Sequence, residues 1–354
     1  MNYEQLLTSF VNQVIAQGAS DLHLSAGAHP VIRVSSILTP LLSEAKLSDE
    51  DVRGLLERML SPERIQKFLQ TQEADFSFSY GNTARFRGNA FVERGHIGVA
   101  LRLVPRTIRS VKELNLPSEL EQFATREQGF FLVVGPVGQG KTTTLAALLE
   151  KINIERTEHI ITIEDPIEYL FENKRSIVDQ REVRIDTADF ETALGSVFRQ
   201  DVDVLMIGEM RTSETMAIAV TAAETGHLVF STLHTNNASQ TIDRILDTFP
   251  SGQQEQVRAQ LAETLSGIFS QRLIPRISGG LIPAYELLIN TSAVANLIRE
   301  KRIHEIDAII ETSSQEGMID MNRCLADLVR AGEITPESAY ARSWNPKTLE
   351  RLMM

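Results

Sequence analysis

The sequence predicts an α/β fold in two parts: an α+β domain over residues 1–104 and, after a linker over 105–117, alternating strands and helices over 118–354. Three observations carry this prediction. Apolar and polar residues alternate in 74–80, 84–92 and 96–104, the pattern of antiparallel strands with one solvated face. Short, nearly unbroken apolar runs at 130–134, 159–163 and 203–208 suit strands buried on both faces, and a helical stretch follows the first of them at once. A length of 354 residues exceeds the size at which one core stops growing.

The elements follow in order. Leu6, Leu7, Phe10, Val11, Val14 and Ile15 stand at helical spacing in a start without a basic leader, so residues 1–18 predict a helix and not a signal peptide. DLHLS and PVIRV read as short strands. Ser48 with Asp51 signals a capping box for a helix reaching about Leu60, and Ser61 with Pro62 starts another. The meander over 74–104 comes next. Prolines at both ends of 105–117 and weak periodicity within it place the interdomain linker there.

The run GFFLVVGPVGQGKTTTLAALLE then predicts a buried strand, a glycine-rich turn and a helix. The turn and helix start, Gly135, Pro136, Val137, Gly138, Gln139, Gly140, Lys141, Thr142 and Thr143, have the spacing of a phosphate loop. Its glycines let backbone N–H groups turn toward phosphate oxygens, and the helix dipole favours the same anion. Lys141 would neutralise the β- and γ-phosphates of a nucleotide, and the Thr142 hydroxyl would ligate Mg²⁺. Two later strands carry acids at their carboxyl ends, Glu164 with Asp165 and then Glu209. In open α/β sheets ligands bind beyond those ends, so the acids and the loop are expected in one crevice, where phosphoanhydride hydrolysis needs a water-positioning group and a metal holder.

His227 and His234 would be separated by roughly 23 Å of strand, too far to share an ion. His234 falls at the strand end facing the phosphates, and His227 at the opposite end, where structural, interface and functional roles all remain open. Residues 290–305 read as one amphipathic helix with Leu297, Ile298 and Ile303 packed inward, Met318 and Met321 as core, and Thr335 with Pro336 as the start of the last clear helix.

Composition narrows the function classes. With 42% hydrophobic and 23% charged residues and no bilayer-length apolar run, the chain is expected to be soluble, with no anchor motif at its end. Cys324 alone can form neither an internal disulfide nor a multi-cysteine zinc site, which fits a reducing cytosol. A net charge of -12 without a basic patch argues against nucleic acid.

The runs ITIEDPIEY, FRQDVDVLMIGEMR, TAAETGHLVFSTLHTN and RILDTFP resemble the secretion-type ATPases, and among them the type IV pilus retraction motors of twitching motility. ASDLHLSAGAHPVIR and GMIDMNRCLADLVRAGEIT extend the resemblance to both ends of the chain. It implies a PAS-like N-terminal domain, a RecA-like P-loop ATPase core with a C-terminal helical region, ATP and Mg²⁺ as cofactors, and a homohexamer. It implies a cytoplasmic ring held peripherally at the inner membrane by a platform protein of the pilus machine, retracting pili rather than extending them. Glu164 would activate the attacking water, Glu209 would take the Walker B position with Thr142 at the metal, and His234 would sense the γ-phosphate. Transition-state charge wants a cation beyond Lys141. By resemblance Arg87 and Arg102 would supply it across a domain or subunit boundary, and Arg85 shares a face with Arg87.

The sequence departs from the family pattern at Val137 and Gln139, where Thr and Ser are commoner, at Thr212, where the motif usually reads GEMRD, and at Val294 and Ala295, which replace an Ile and an Arg. A nonhydrolytic or accessory partner of another pilus ATPase, and a nucleic-acid motor on the same core, are the alternatives. Extension and type II secretion relatives typically carry a four-cysteine zinc module, which one cysteine cannot supply.

Overall fold

Helix α1 (Tyr3–Ala16) forms where the spacing of Leu7, Phe10, Val11 and Val14 gives it one buried face, and the Asn2 side chain caps the N–H groups of Glu4 and Gln5. The computed structural model describes residues 2–34, 37–81 and 83–354. Met1, part of the expected first helix, lies outside them. The chain divides into two units, Met1–Arg106 and Thr107–Met354.

The first unit continues with β1 (Asp21–Ser25), β2 (Val31–Val34), β3 (Ile37–Pro40), α2 (Asp49–Met59), α3 (Pro62–Thr71), β4 (Glu73–Tyr80), β5 (Ala84–Glu93) and β6 (His96–Leu103). Both helix starts fall where their caps predict, with a reciprocal Ser48–Asp51 capping box on α2 and Ser61 before Pro62 on α3. The strands form one antiparallel sheet in the order β3-β2-β1-β6-β5-β4. Strand β3 has no sequence counterpart above; Ile37 and Leu38 are exposed there, so burial left no periodic signal.

Alternation along β5 buries Ala84, Phe86, Gly88 and Ala90 and turns Arg85, Arg87 and Asn89 to the other face. Gly88 is required, since a Cβ there would lie 2.4 Å from the Phe76 ring. Register sets Ser77, Arg87, Arg102, Asp21 and Arg33 side by side in one row across five strands.

The second unit holds α4 (Glu121–Ala124), β7 (Gly129–Val134), α5 (Lys141–Glu155), β8 (His159–Glu164), β9 (Ile177–Glu182), α6 (Phe190–Val197), β10 (Val204–Ile207) and α7 (Ser213–Glu224). Next come β11 (Leu228–Leu233), α8 (Ala238–Asp247), α9 (Ser251–Thr264), β12 (Leu265–Pro275), β13 (Leu281–Ile289) and α10 (Ser292–Arg299). Helices α11 (Ile306–Thr312), α12 (Met321–Arg330), α13 (Pro336–Tyr340) and α14 (Pro346–Met353) end the chain. Among the described residues the sheet order is β13-β12-β7-β11-β10-β8-β9. The expected parallel sheet is therefore mixed: β13 runs antiparallel to β12 at one edge, and the other pairings are parallel. Every residue of β7 is buried, and full burial of each large apolar side chain stabilises by about 1.5–3 kcal/mol.

Three expectations need correction. Val111 and Leu116 pack into the core of the second unit, so much of 105–117 is docked chain rather than free linker. The helix expected over 290–305 stops at Arg299, because Lys301 takes a left-handed φ of 63° and a new helical turn begins at Ile303. The last helix is α14, opened by Asn345 and Pro346 with the same cap-then-proline device that opens α13. Ala295 is buried, which accounts for a small residue there, and Met318 and Met321 are buried as expected. No helix among the described residues is long and apolar enough to cross a membrane.

Candidate functional site

Beyond Val134 the chain leaves β7 in a tight loop and re-enters regular structure at Lys141. Gly138 and Gly140 take left-handed φ values of 75° and 80°, and Gly135 has a φ of 149°. The loop borders a crevice of about 460 Å³ at the carboxyl ends of the parallel strands, lined among others by Gly138, Lys141, Thr142, Glu164, Glu209 and His234. The two acids, the lysine and the histidine separated in sequence thus meet in one place. Val137, Gln139, Gly140 and Thr143 also line it, while Gly135 and Pro136 lie outside the lining and accept hydrogen bonds from the lysine through their carbonyls.

Lys141 Nζ donates to Gly135 O at 2.8 Å and Pro136 O at 2.9 Å, and lies 3.3 Å from His234 Nδ1. Burial lowers its pKa to about 8, the cost of an ammonium with little water around it. A bound anion would relieve that cost. His234 is half exposed, and its Nε2 lies 3.6 Å from Glu209 Oε2, while Arg211 pairs with the other carboxylate oxygen of Glu209.

Glu164 is 3% exposed at the end of β8. Burial raises its pKa to about 7, although the Thr162 hydroxyl donates to it at 2.7 Å, Gln180 Nε2 at 3.1 Å and Glu168 N–H at 3.3 Å. Gln180 also donates to Tyr169 O at 2.8 Å and accepts from Phe171 N–H at 2.9 Å, so its amide is held on three sides. The Tyr169 and Thr143 hydroxyls are 2.8 Å apart, tying this acidic loop to the start of α5.

Thr212 caps α7, accepting from Thr215 N–H at 3.3 Å and donating to Glu191 at 3.1 Å. Capping is a task threonine shares with aspartate, which makes the departure at this position conservative. His227 sits at the far end of β11, where its Nδ1 lies 2.9 Å from Ala222 O and its ring meets Phe198 edge-on at 5.6 Å. It has no place in the crevice lining.

Arg87 and Arg102 belong to the first unit, directly opposite each other on β5 and β6. Arg102 Nε donates to Asp21 at 2.9 Å. Burial alone would raise the Asp21 pKa, but hydrogen bonds from Ser20 and Arg102 outweigh it and hold the carboxylate below its ordinary value. Arg85 donates to Ser79 Oγ at 3.1 Å.

Sequence reasoning missed Thr162, Gln180, Gln271 and Arg272. Gln271 Nε2 donates to Gln139 O at 2.8 Å, and Arg272 Nη2 donates to Asn236 Oδ1 at 2.8 Å, steadying the loop after His234. Their partners are remote in the chain, and no local spacing marks them.

Comparison with known proteins gives the chain a family. Residues 2–280 match the Type II/IV secretion system protein family. The chain is 42% identical over 331 residues to the type IV pilus retraction ATPase PilT of Pseudomonas aeruginosa, covering 94% of this chain and 96% of that one. It is 39% identical over 355 residues to the type IV pilus ATPase PilU of the same organism, covering 100% of this chain and 91% of that one. A crystal structure of the pilus retraction motor PilT with bound ADP superposes with a TM-score of 0.90 at 46% identity, over 97% of this chain and 98% of that one. With the family matched over most of its length, and relatives aligned nearly end to end, the chain belongs to the Type II/IV secretion system protein family.

Proposed function

We propose that this chain is an ATP hydrolase working as the homohexameric motor of type IV pilus retraction. One observation carries the reading: Lys141, Glu164, Glu209 and His234 line a single crevice beside a glycine loop in a chain that resembles a pilus retraction ATPase over 94% of its length. The antiparallel sheet with α1–α3 supports a PAS-like first domain, and β7, the loop and α5 support a RecA-like core.

The chemistry of the crevice fits a nucleotide. Lys141, bonded to two loop carbonyls and to the His234 imidazole, has an ammonium suited to β- and γ-phosphate oxygens. Thr142 and Glu209 would hold Mg²⁺, which when bound offsets phosphate charge and takes its remaining ligands from phosphate and water. Glu164, with a pKa near 7, is poised to orient the attacking water and take its proton, since general bases work best near the ambient pH. His234 would read the presence of the γ-phosphate and relay it to Glu209. Arg87 and Arg102 would bring positive charge to the transition state from a neighbouring copy.

The ring would dock on the cytoplasmic face of an inner-membrane platform protein and act on the filament base. PilT and PilU share the level of pilus ATPase, and the likeness to PilT supports retraction as the direction. Cells carrying Glu164→Gln test this, with pili labelled at the surface. Retraction predicts long, static, abundant filaments. Absence of surface pili would assign the protein to assembly, and purified wild-type protein that binds ATP without releasing phosphate would assign it to a nonhydrolytic partner.

A further inference from the structure

Gln139 lies inside the phosphate loop, yet its side chain bonds out of the loop to β12. Its amide oxygen accepts from Leu273 N–H at 2.7 Å. Gln271 answers from the strand: its amide nitrogen donates to Gln139 O at 2.8 Å, and its amide oxygen accepts from the Thr144 hydroxyl at 2.6 Å. Thr144 stands in the first turn of α5, so two glutamine amides fasten β12 both to the loop and to the helix that follows it. Gln271 is 3% exposed, which keeps water from competing for these bonds.

The reason for the arrangement lies in strand lengths. Pairing of β12 with β7 ends at Ser270 opposite Val134, because β7 stops there and turns into the loop. Past that point Leu273 N–H has no β7 carbonyl to meet, and the Gln139 side chain supplies the missing acceptor. The strand and the loop also lie too close for larger residues. A Cβ on Gly135 would sit 2.5 Å from Gln271 O, and one on Gly140 2.9 Å from Gln271 Nε2. A serine at 139, the residue commoner in the resembling family, would end two bonds short of the position that Gln139 Oε1 occupies.

We propose that Gln139 is a positioning residue that locks the phosphate loop to β12 and so holds it in its phosphate-ready form before nucleotide arrives. The inference deepens the reading of this crevice as a nucleotide site and rests on it. A loop already ordered loses less entropy on binding, so the lock acts on affinity. Glu164, Glu209 and His234 are carried by other elements, so it leaves the chemical step largely alone.

The test uses the full chain, comparing wild type with Gln139→Met, which keeps length but loses the acceptor, and Gln139→Ser, which loses both. ADP titration calorimetry should show a dissociation constant about five- to tenfold higher in each variant, about 1.0–1.4 kcal/mol. At saturating ATP, the fold loss in kcat should be smaller than the fold loss in ADP affinity. Amide hydrogen exchange without nucleotide should be faster at Leu273 in both variants than in wild type. If one variant fails to fold, the other decides. Unchanged ADP affinity, unchanged exchange at Leu273, or a fall in kcat with affinity intact would each overturn the lock. Wild-type protein that fails to bind ADP would instead overturn the nucleotide reading, leaving exchange at Leu273 to judge the lock by itself.

Discussion

The Lys141 ammonium sits 3.3 Å from His234 Nδ1 while it is bonded to the carbonyls of Gly135 and Pro136. A charged lysine makes Nδ1 the acceptor and leaves the imidazole proton on Nε2, the nitrogen 3.6 Å from Glu209. The glycine loop, the end of β11 and the acid after β10 are thereby joined through three side chains.

The first prediction follows from the lowered Lys141 pKa. With that pKa near 8 in the unliganded protein, part of the lysine is neutral at pH 8.5, and a phosphate anion beside it restores the charge. ADP binding at pH 8.5 should therefore take up protons, read as a binding enthalpy that varies with the ionisation heat of the buffer. Lys141→Ala should lose the proton uptake and weaken binding at least about a hundredfold, consistent with a lost charged contact to phosphate.

Glu164 gives the second. Glu164→Gln should keep ATP bound while turnover falls about 10²–10⁴-fold, the usual worth of a general base. In wild type, kcat should rise as pH increases through about 7, because the base works only once its proton is lost. Gln180→Leu removes a donor to the carboxylate, so the rising limb should move to higher pH. A limb that stays in place would separate Gln180 from the base.

A third prediction concerns assembly. If Arg102 serves a neighbouring copy, Arg102→Ala and Lys141→Ala proteins should each be nearly inactive alone. Mixed together they should regain activity, because some sites pair an intact loop with an intact arginine. Rates in the mixture no higher than the sum of the parts would place Arg102 outside the chemistry, as the structural partner of Asp21.

The fourth is a matter of stability. Glu286 is fully buried on β13, accepting from Ala238 N–H at 2.9 Å and from the Ser270 hydroxyl at 3.3 Å, and burial raises its pKa to about 8. A folded-state pKa above the unfolded value means that the fold holds a proton the unfolded chain releases. This contribution is full below about pH 4.5 and is lost as pH rises toward 8. Glu286→Gln, which stays neutral, should raise Tm relative to wild type at pH 8 and lose that advantage at pH 5. Equal Tm differences at the two pH values would show that Glu286 does not titrate in this range.

Much of the site was legible because its grammar is local. Gly138, Gly140, Lys141 and Thr142 act through one turn of backbone and the first turn of one helix, so their spacing carries the geometry. Glu164 and Glu209 could be brought to one crevice because each follows an apolar run at the carboxyl end of a parallel strand. The capping residues Ser48, Ser61 and Thr335 worked for the same reason, as each satisfies N–H groups within three residues.

What stayed hidden depends on neighbours that the chain meets only when folded. Gln271 reaches a hydroxyl 127 positions away, and Gln180 holds a carboxylate carried by a different strand. The antiparallel β13, the docking of Val111 and Leu116, and the break at Lys301 were likewise settled by packing. The sequence by itself determined the glycine-rich turn between β7 and α5, the acids at the strand ends and the alternation of strands and helices, because backbone φ values, caps and periodic burial are set by residues near in the chain. Only the tertiary structure decided how Glu164 is held, how the loop is fastened to β12 and which acid sits beside His234, because a buried polar group must find its partner wherever the fold brings one.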